Sequence, residues 1–151
     1  MRTGGIAAFV KLGELVVVGD NKGTLTFLQA TSLRPVSEIY IKGGASVKSI
    51  VVDRTGSDFV VNSVDKTLRI FTERDSGTWE LMTEIIDSIN RLHWKCVCFS
   101  RDSEFTVAGT AELKIHNIYF WMKGYGEIHT KLEGPKEGLM DICVSLRPLS
   151  G

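Results

Sequence analysis

Gly56-Ser57-Asp58-Phe59-Val60-Val61-Asn62-Ser63-Val64-Asp65-Lys66-Thr67-Leu68-Arg69-Ile70-Phe71 reads as a turn, an apolar strand, a small residue, a second turn and a strand ending in an aromatic. The same order of features opens upstream at Gly13-Glu14-Leu15-Val16-Val17-Val18-Gly19-Asp20-Asn21-Lys22-Gly23 and closes at Thr24-Leu25-Thr26-Phe27. It returns downstream at Ser103-Glu104-Phe105-Thr106-Val107-Ala108-Gly109-Thr110. There a looser turn over Ala111 to His116 leads into Asn117-Ile118-Tyr119-Phe120-Trp121. Leu15 to Phe59 is 44 positions and Phe59 to Phe105 is 46. A period near 45 with four strands per unit is the mark of a propeller blade.

Outer strands complete each unit. Ile6 to Val10, Val47 to Val52 and Trp94 to Phe99 precede the anchor turns. Val36 to Ile41, Trp79 to Ile86 and Glu127 to Leu132 follow the aromatics. The run Leu15-Val16-Val17-Val18 is apolar throughout, which predicts a strand buried on both faces. The expected architecture is all-β: a partial propeller with blades over about 4–42, 45–88 and 92–133, and the first strand of another within 138–151. Closed propellers have about four to eight blades. Three blades would leave apolar faces bare, so the chain is expected to be a piece of a longer propeller or to be completed by a partner.

Composition agrees with a globular domain. The 151 residues are 43% hydrophobic and 24% charged, with 15 glycines and 3 prolines. Lys plus Arg and Asp plus Glu are 18 each, which excludes a strongly basic nucleic-acid arm or an acidic tail. No apolar run approaches the roughly 18 to 20 residues that cross a bilayer. Met1 to Gly5 lacks the pattern of a signal peptide, so an internal start in cytosol or nucleus is expected.

Three cysteines, Cys96, Cys98 and Cys143, cannot build a disulfide framework. Cys96 and Cys98 fall on one face of a strand and are read as small core residues, the alternative being a metal site with His93. The Asp53 and Asp58 pair flanks a turn, and Gly124-Tyr125-Gly126 reads as a hairpin turn. Neither a P-loop nor a nucleophile elbow nor a zinc-protease motif is present. No catalytic residue, cofactor or metal is therefore expected, and no membrane.

Ser63-Val64-Asp65-Lys66-Thr67-Leu68-Arg69-Ile70-Phe71 resembles the core of a WD40 repeat, although Phe71-Thr72 stands where that family has Trp-Asp. In the family the turn aspartate accepts backbone N–H bonds, a role the resemblance gives to Asp20 and Asp65. A narrower likeness runs from about Ile6 to Pro148. Gly19-Asp20-Asn21-Lys22-Gly23-Thr24-Leu25, Trp94-Lys95-Cys96-Val97-Cys98-Phe99-Ser100 and Leu132-Glu133-Gly134-Pro135-Lys136-Glu137 carry it. These segments resemble the retinoblastoma-binding protein 5 family, the Swd-type propeller subunits of histone H3 lysine-4 methyltransferase complexes. Where that family usually has Trp-His-Pro after Leu139, this chain has Cys143-Val144-Ser145-Leu146-Arg147-Pro148.

The resemblance implies a non-catalytic, nuclear scaffold. Its implied partners are the SET-domain catalytic subunit, a partner WD40 propeller and nucleosomal DNA. The loop cations it would turn to DNA are Lys66, Arg69, Arg91 and Lys136, because phosphate contacts need cations on one surface rather than net charge. The alternative expectation is a generic WD40-type adaptor with another partner.

Overall fold

The computed structural model describes residues 5–112 and 114–145, and of Ser76 the backbone only. Within these the protein is all-β: a partial WD40 β-propeller of three four-stranded antiparallel sheets. It divides into two compact units, one up to Leu92 and one from His93 on.

The first unit holds two sheets. The first consists of β1 (Ile6–Val10), β2 (Leu15–Gly19), β3 (Thr24–Gln29) and β4 (Pro35–Tyr40). The second consists of β5 (Val47–Val52), β6 (Asp58–Ser63), β7 (Leu68–Glu73) and β8 (Trp79–Ile85). Each strand pairs with its sequence neighbours, so both sheets are simple meanders. Pro35 opens an edge strand, where its missing N–H costs no ladder bond.

The two sheets meet in one core. Val17, Leu25 and Phe27 from the first pack with Val47, Phe59, Val61, Phe71 and Trp79 from the second. Phe27 stacks on Trp79 at 5.4 Å, and Phe59 touches both Phe71 and Trp79 at 5.2 and 5.1 Å. Burying each such ring contributes roughly 2–3 kcal/mol. All six residues of β6 are buried. In β2, by contrast, burial alternates: Val16 and Val18 are only half-buried. The expectation that the Leu15–Val18 run is buried on both faces is corrected. Its apolar run packs one face on the second sheet, through Leu15 and Val17.

Gly19 explains the small residue in the repeat. A Cβ there would lie 2.7 Å from Cγ1 of Val47, the first residue of β5. The gap left by glycine at the end of β2 is what lets β5 close on it. A second tie joins the turns: Lys11 N–H donates to Gly56 O at 2.8 Å, and Lys11 Nζ lies 3.3 Å from Glu73 Oε1.

The second unit holds the third sheet: β9 (Trp94–Phe99), β10 (Phe105–Thr110), β11 (Asn117–Met122) and β12 (Ile128–Glu133). Trp94, Tyr119 and Trp121 form its aromatic centre, Trp94 standing edge-on to both others. Gly109 repeats the role of Gly19, for a Cβ there would collide with Leu139 Cδ2 and stand 2.9 Å from Ile142 Cδ1. The further segment over 138–145 thus lies against β10 as β5 lies against β2. Residues 146–151 of the expected next blade fall outside the described residues. No helix among the described residues is long and apolar enough to cross a membrane.

Candidate functional site

The turn between β6 and β7 and the loop after β8 form one side of the second sheet. A chain reversal needs local hydrogen bonds for its freed backbone groups. In the β2–β3 turn Asp20 supplies them: its carboxylate accepts the N–H of Lys22 at 2.8 Å and of Thr24 at 2.9 Å. These backbone donors hold the Asp20 carboxyl below its usual pKa. In the β6–β7 turn Asp65 accepts the N–H of Thr67 at 3.2 Å. Both turns need one left-handed residue. Gly23 takes it at φ +78° in the first and Lys66 at φ +68° in the second.

The loop after β8 is shaped by another aspartate. Asp87 accepts the N–H groups of Ile89 and Asn90 at 3.0 and 2.9 Å and the Asn90 side-chain amide at 3.2 Å. The Asn90 bonds hold its carboxyl below the ordinary range. The loop ends on Arg91 at φ +50°, whose N–H donates to Asp87 O. Between turn and loop lies a cleft of about 490 Å³, lined by Val64, Asp65, Lys66, Thr67, Ile86, Asp87, Ser88 and Arg91. Lys66 and Arg91, far apart in sequence, thus share one cleft. Its lining is apolar as well as charged, with Val64 and Ile86 exposed.

Arg69 does not join them. Its side chain is only 7% exposed. Nη2 lies 2.7 Å from Asp65 Oδ2, Nη1 donates to Asp65 Oδ1 at 3.2 Å, and Nε donates to Glu84 Oε1 at 2.8 Å. The expectation of Arg69 as a phosphate-facing cation is corrected: two carboxylates hold the guanidinium against the sheet, and that pairing is what makes its burial tolerable. Burial opposes the charge, but the partners prevail and hold the guanidinium's pKa up.

Lys136 is exposed in the loop after β12, in the second unit. His116 fixes that loop: its Nδ1 meets Glu137 O at 2.8 Å, and Gly134 packs directly on its ring. The remaining polar motifs are turn chemistry. Asp53 accepts from the Asp58 N–H and the Thr55 hydroxyl, and Gly126 N–H donates to Met122 O. Cys96 and Cys98 lie on one face of β9 but are half-buried rather than core. Among the described residues no group of three His, Cys, Asp or Glu could hold a metal ion.

Sequence reasoning missed Glu84 and Asp87. Glu84 carried a signal: on paired strands it falls directly opposite Arg69. Asp87-Ser88-Ile89-Asn90 carried another, the pattern of an aspartate capping its own turn. The geometry sets two cations, Lys66 and Arg91, and two carboxylates, Asp65 and Asp87, beside the apolar Val64 and Ile86.

No protein-family model matches the chain. It is 35% identical over 145 residues to a Retinoblastoma-binding-like protein E of Dictyostelium discoideum, a match covering 95% of this chain and 27% of that protein. It is 31% identical over 137 residues to the Set1 complex component swd1 of Schizosaccharomyces pombe, covering 91% of this chain and 34% of that one. The chain therefore spans about a third or less of these relatives' length. Among solved structures it matches the β-propeller domain of Cps50 (Swd1) from Myceliophteria thermophila with a TM-score of 0.79 and 26% identity. That match covers 90% of this chain and 45% of the other.

Proposed function

Since the chain is a homologue of the retinoblastoma-binding protein 5 and Swd1 propeller proteins along one stretch of them, we propose that it is a non-catalytic scaffold segment of a histone H3 lysine-4 methyltransferase complex. The supporting observation is the likeness to a component of the Set1 complex, 31% identical across 91% of the chain. Its mechanism is presentation. Stiff meander sheets, with turns tied by Asp20, Asp65 and Asp87, hold loops in fixed positions for other subunits. The partners are the SET-domain catalytic subunit and a second WD40 propeller, and the place of work is the nucleus. Lys66 and Arg91 at the cleft and Lys136 in its own loop are the cations offered to nucleosomal phosphates. No reaction is assigned to the chain itself.

The experiment is affinity purification of the tagged full chain from nuclear extract, followed by identification of what accompanies it. The expected companions are a SET-domain methyltransferase and a WD40 partner. Reproducible recovery of other partners without any methyltransferase subunit overturns this reading in favour of an adaptor of another complex.

A further inference from the structure

The second unit has a cleft of its own, built without Lys66 or Arg91. It lies between the β9–β10 turn and the β11–β12 turn, which are joined where Lys123 N–H donates to Glu104 O at 2.9 Å. Its volume is about 470 Å³. Phe105, Met122 and the exposed Tyr125 give it aromatic and apolar surface, and Asp102 and Glu104 give it two carboxylates. Lys123 also lines it, with Nζ standing over the Phe99 ring at 5.8 Å from the centroid. The lining therefore sets more negative than positive charge beside aromatic side chains.

Ser103 is the anomaly in this lining. Its N–H donates to Ser100 O at 3.0 Å, as Gly56 N–H donates to Asp53 O at 3.2 Å in the β5–β6 turn. The two residues hold the same place in equivalent turns, and both are left-handed, Gly56 at φ +75° and Ser103 at φ +62°. Glycine takes that conformation without strain and serine does not. Nor does the hydroxyl add a hydrogen bond to the fold. Ser103 is only 6% exposed, and its buried Oγ has no hydrogen-bond partner among the described residues. A left-handed serine and an unpaired buried hydroxyl each cost stability. A residue that keeps both in the wall of a cleft is suited to a ligand that enters it.

We propose that this cleft binds a cationic side chain of a partner protein, an arginine carried on an extended peptide segment, with Ser103 Oγ accepting a guanidinium N–H. Asp102 and Glu104 balance the charge. Phe105 and Tyr125 offer rings to the flat, weakly hydrated guanidinium, and Met122 packs on its methylene stem. An anion would meet two carboxylates. A wholly apolar ligand would cover the carboxylates and Ser103 Oγ without pairing them. The site shares no residue with the cations offered to nucleosomal phosphates.

The test follows the isotope-labelled full chain by NMR as a blocked pentapeptide with a central arginine is added. A second peptide carries citrulline there, which keeps the shape of arginine and lacks its charge. Saturable shifts are expected on the amides of 102–105 and 122–125 with the arginine peptide, and much weaker ones with citrulline. Ser103→Gly is expected to leave the melting temperature no lower and to weaken arginine-peptide binding about tenfold, the loss of one hydrogen bond to a charged group. Glu104→Gln weakens it as well. Any of three results overturns the proposal: no saturable shift at either turn, a citrulline peptide that binds as well as the arginine one, or Ser103→Gly binding as tightly as the parent.

Discussion

Arg69 and Glu84 stand directly opposite each other on β7 and β8, and the Nε–Oε1 hydrogen bond between them is 2.8 Å. With Asp65 on its other side, the guanidinium is spanned by carboxylates from two different loops and strands. This single arginine therefore ties the β6–β7 turn to the edge strand of its sheet. Arg69→Ala leaves Asp65 and Glu84 without their partner. Both are partly solvated, so the loss stays below that of a fully buried pair, at about 2 kcal/mol. A urea titration followed by tryptophan fluorescence measures it, and a midpoint unchanged from the parent's contradicts the tie.

Gly19 is predicted to resist even the smallest side chain. Gly19→Ala places a Cβ within 2.7–2.9 Å of three atoms of Val47, a stiff β-branched residue that cannot swing aside. The expected cost is about 2 kcal/mol. Val47→Ala in the same chain recovers part of it, because the shorter side chain gives the new methyl room. The double-mutant cycle by thermal melting reads the coupling directly.

The turn aspartates predict a pH dependence. Asp20 has a lowered pKa in the folded state because the Thr24 and Lys22 amides donate to its charged form. A depressed folded value means stability that is present above the unfolded pKa and is lost as pH falls through the folded one. Asp65, Asp87 and Asp102 are lowered as well. The melting temperature is thus expected to hold from neutral pH down toward the usual aspartate value of 3.8, and to fall below it. Asp20→Asn lowers the neutral plateau, and its gap to the parent closes in acid. A gap constant down to pH 2 argues against the charged turn.

For the cleft, binding and folding separate cleanly. Lys66 holds a left-handed backbone that glycine adopts without strain. Lys66→Gly is therefore predicted to leave the melting temperature no lower while weakening duplex DNA binding. Arg91→Ala acts in the same direction, and each lost phosphate contact reduces the salt slope of binding by about 1. Arg69→Ala, once corrected for any unfolded fraction, leaves that slope alone. A slope unchanged in both Lys66→Gly and Arg91→Ala removes these residues from any phosphate contact.

The fold was legible because its signals are local. The turn glycines and aspartates, the short β-branched runs and the near-45 spacing lie within a few residues of the strands they define. Ile6–Val10, Val47–Val52 and Trp94–Phe99 have the same bounds in the sequence and in the structure. What eluded reading depends on residues distant in sequence. Arg69 sits in Thr67-Leu68-Arg69-Ile70, where a charge looks like the solvated face of a strand. Its burial is decided by Glu84, 15 positions on. Val16 and Val18 look like core, but nothing in the Leu15–Val18 run tells which of its two faces is packed. The cleft was half-visible. Lys66 and Arg91 stood out as loop cations, whereas Ile86 and Asp87 join them only through the hairpin geometry of β7 and β8.

Strand pairing in all three sheets never skips a neighbour. A nascent chain emerging residue by residue from the ribosome therefore has every ladder partner of a sheet in hand as soon as its fourth strand is out. Loop closure between successive strands is short, so each sheet can assemble quickly and without waiting for distant sequence. The contact that spans two sheets is the seating of a later strand on the glycine of an earlier one, as Val47 seats on Gly19. Synthesis order and pairing order coincide, so premature termination would remove later strands rather than scramble a pairing pattern.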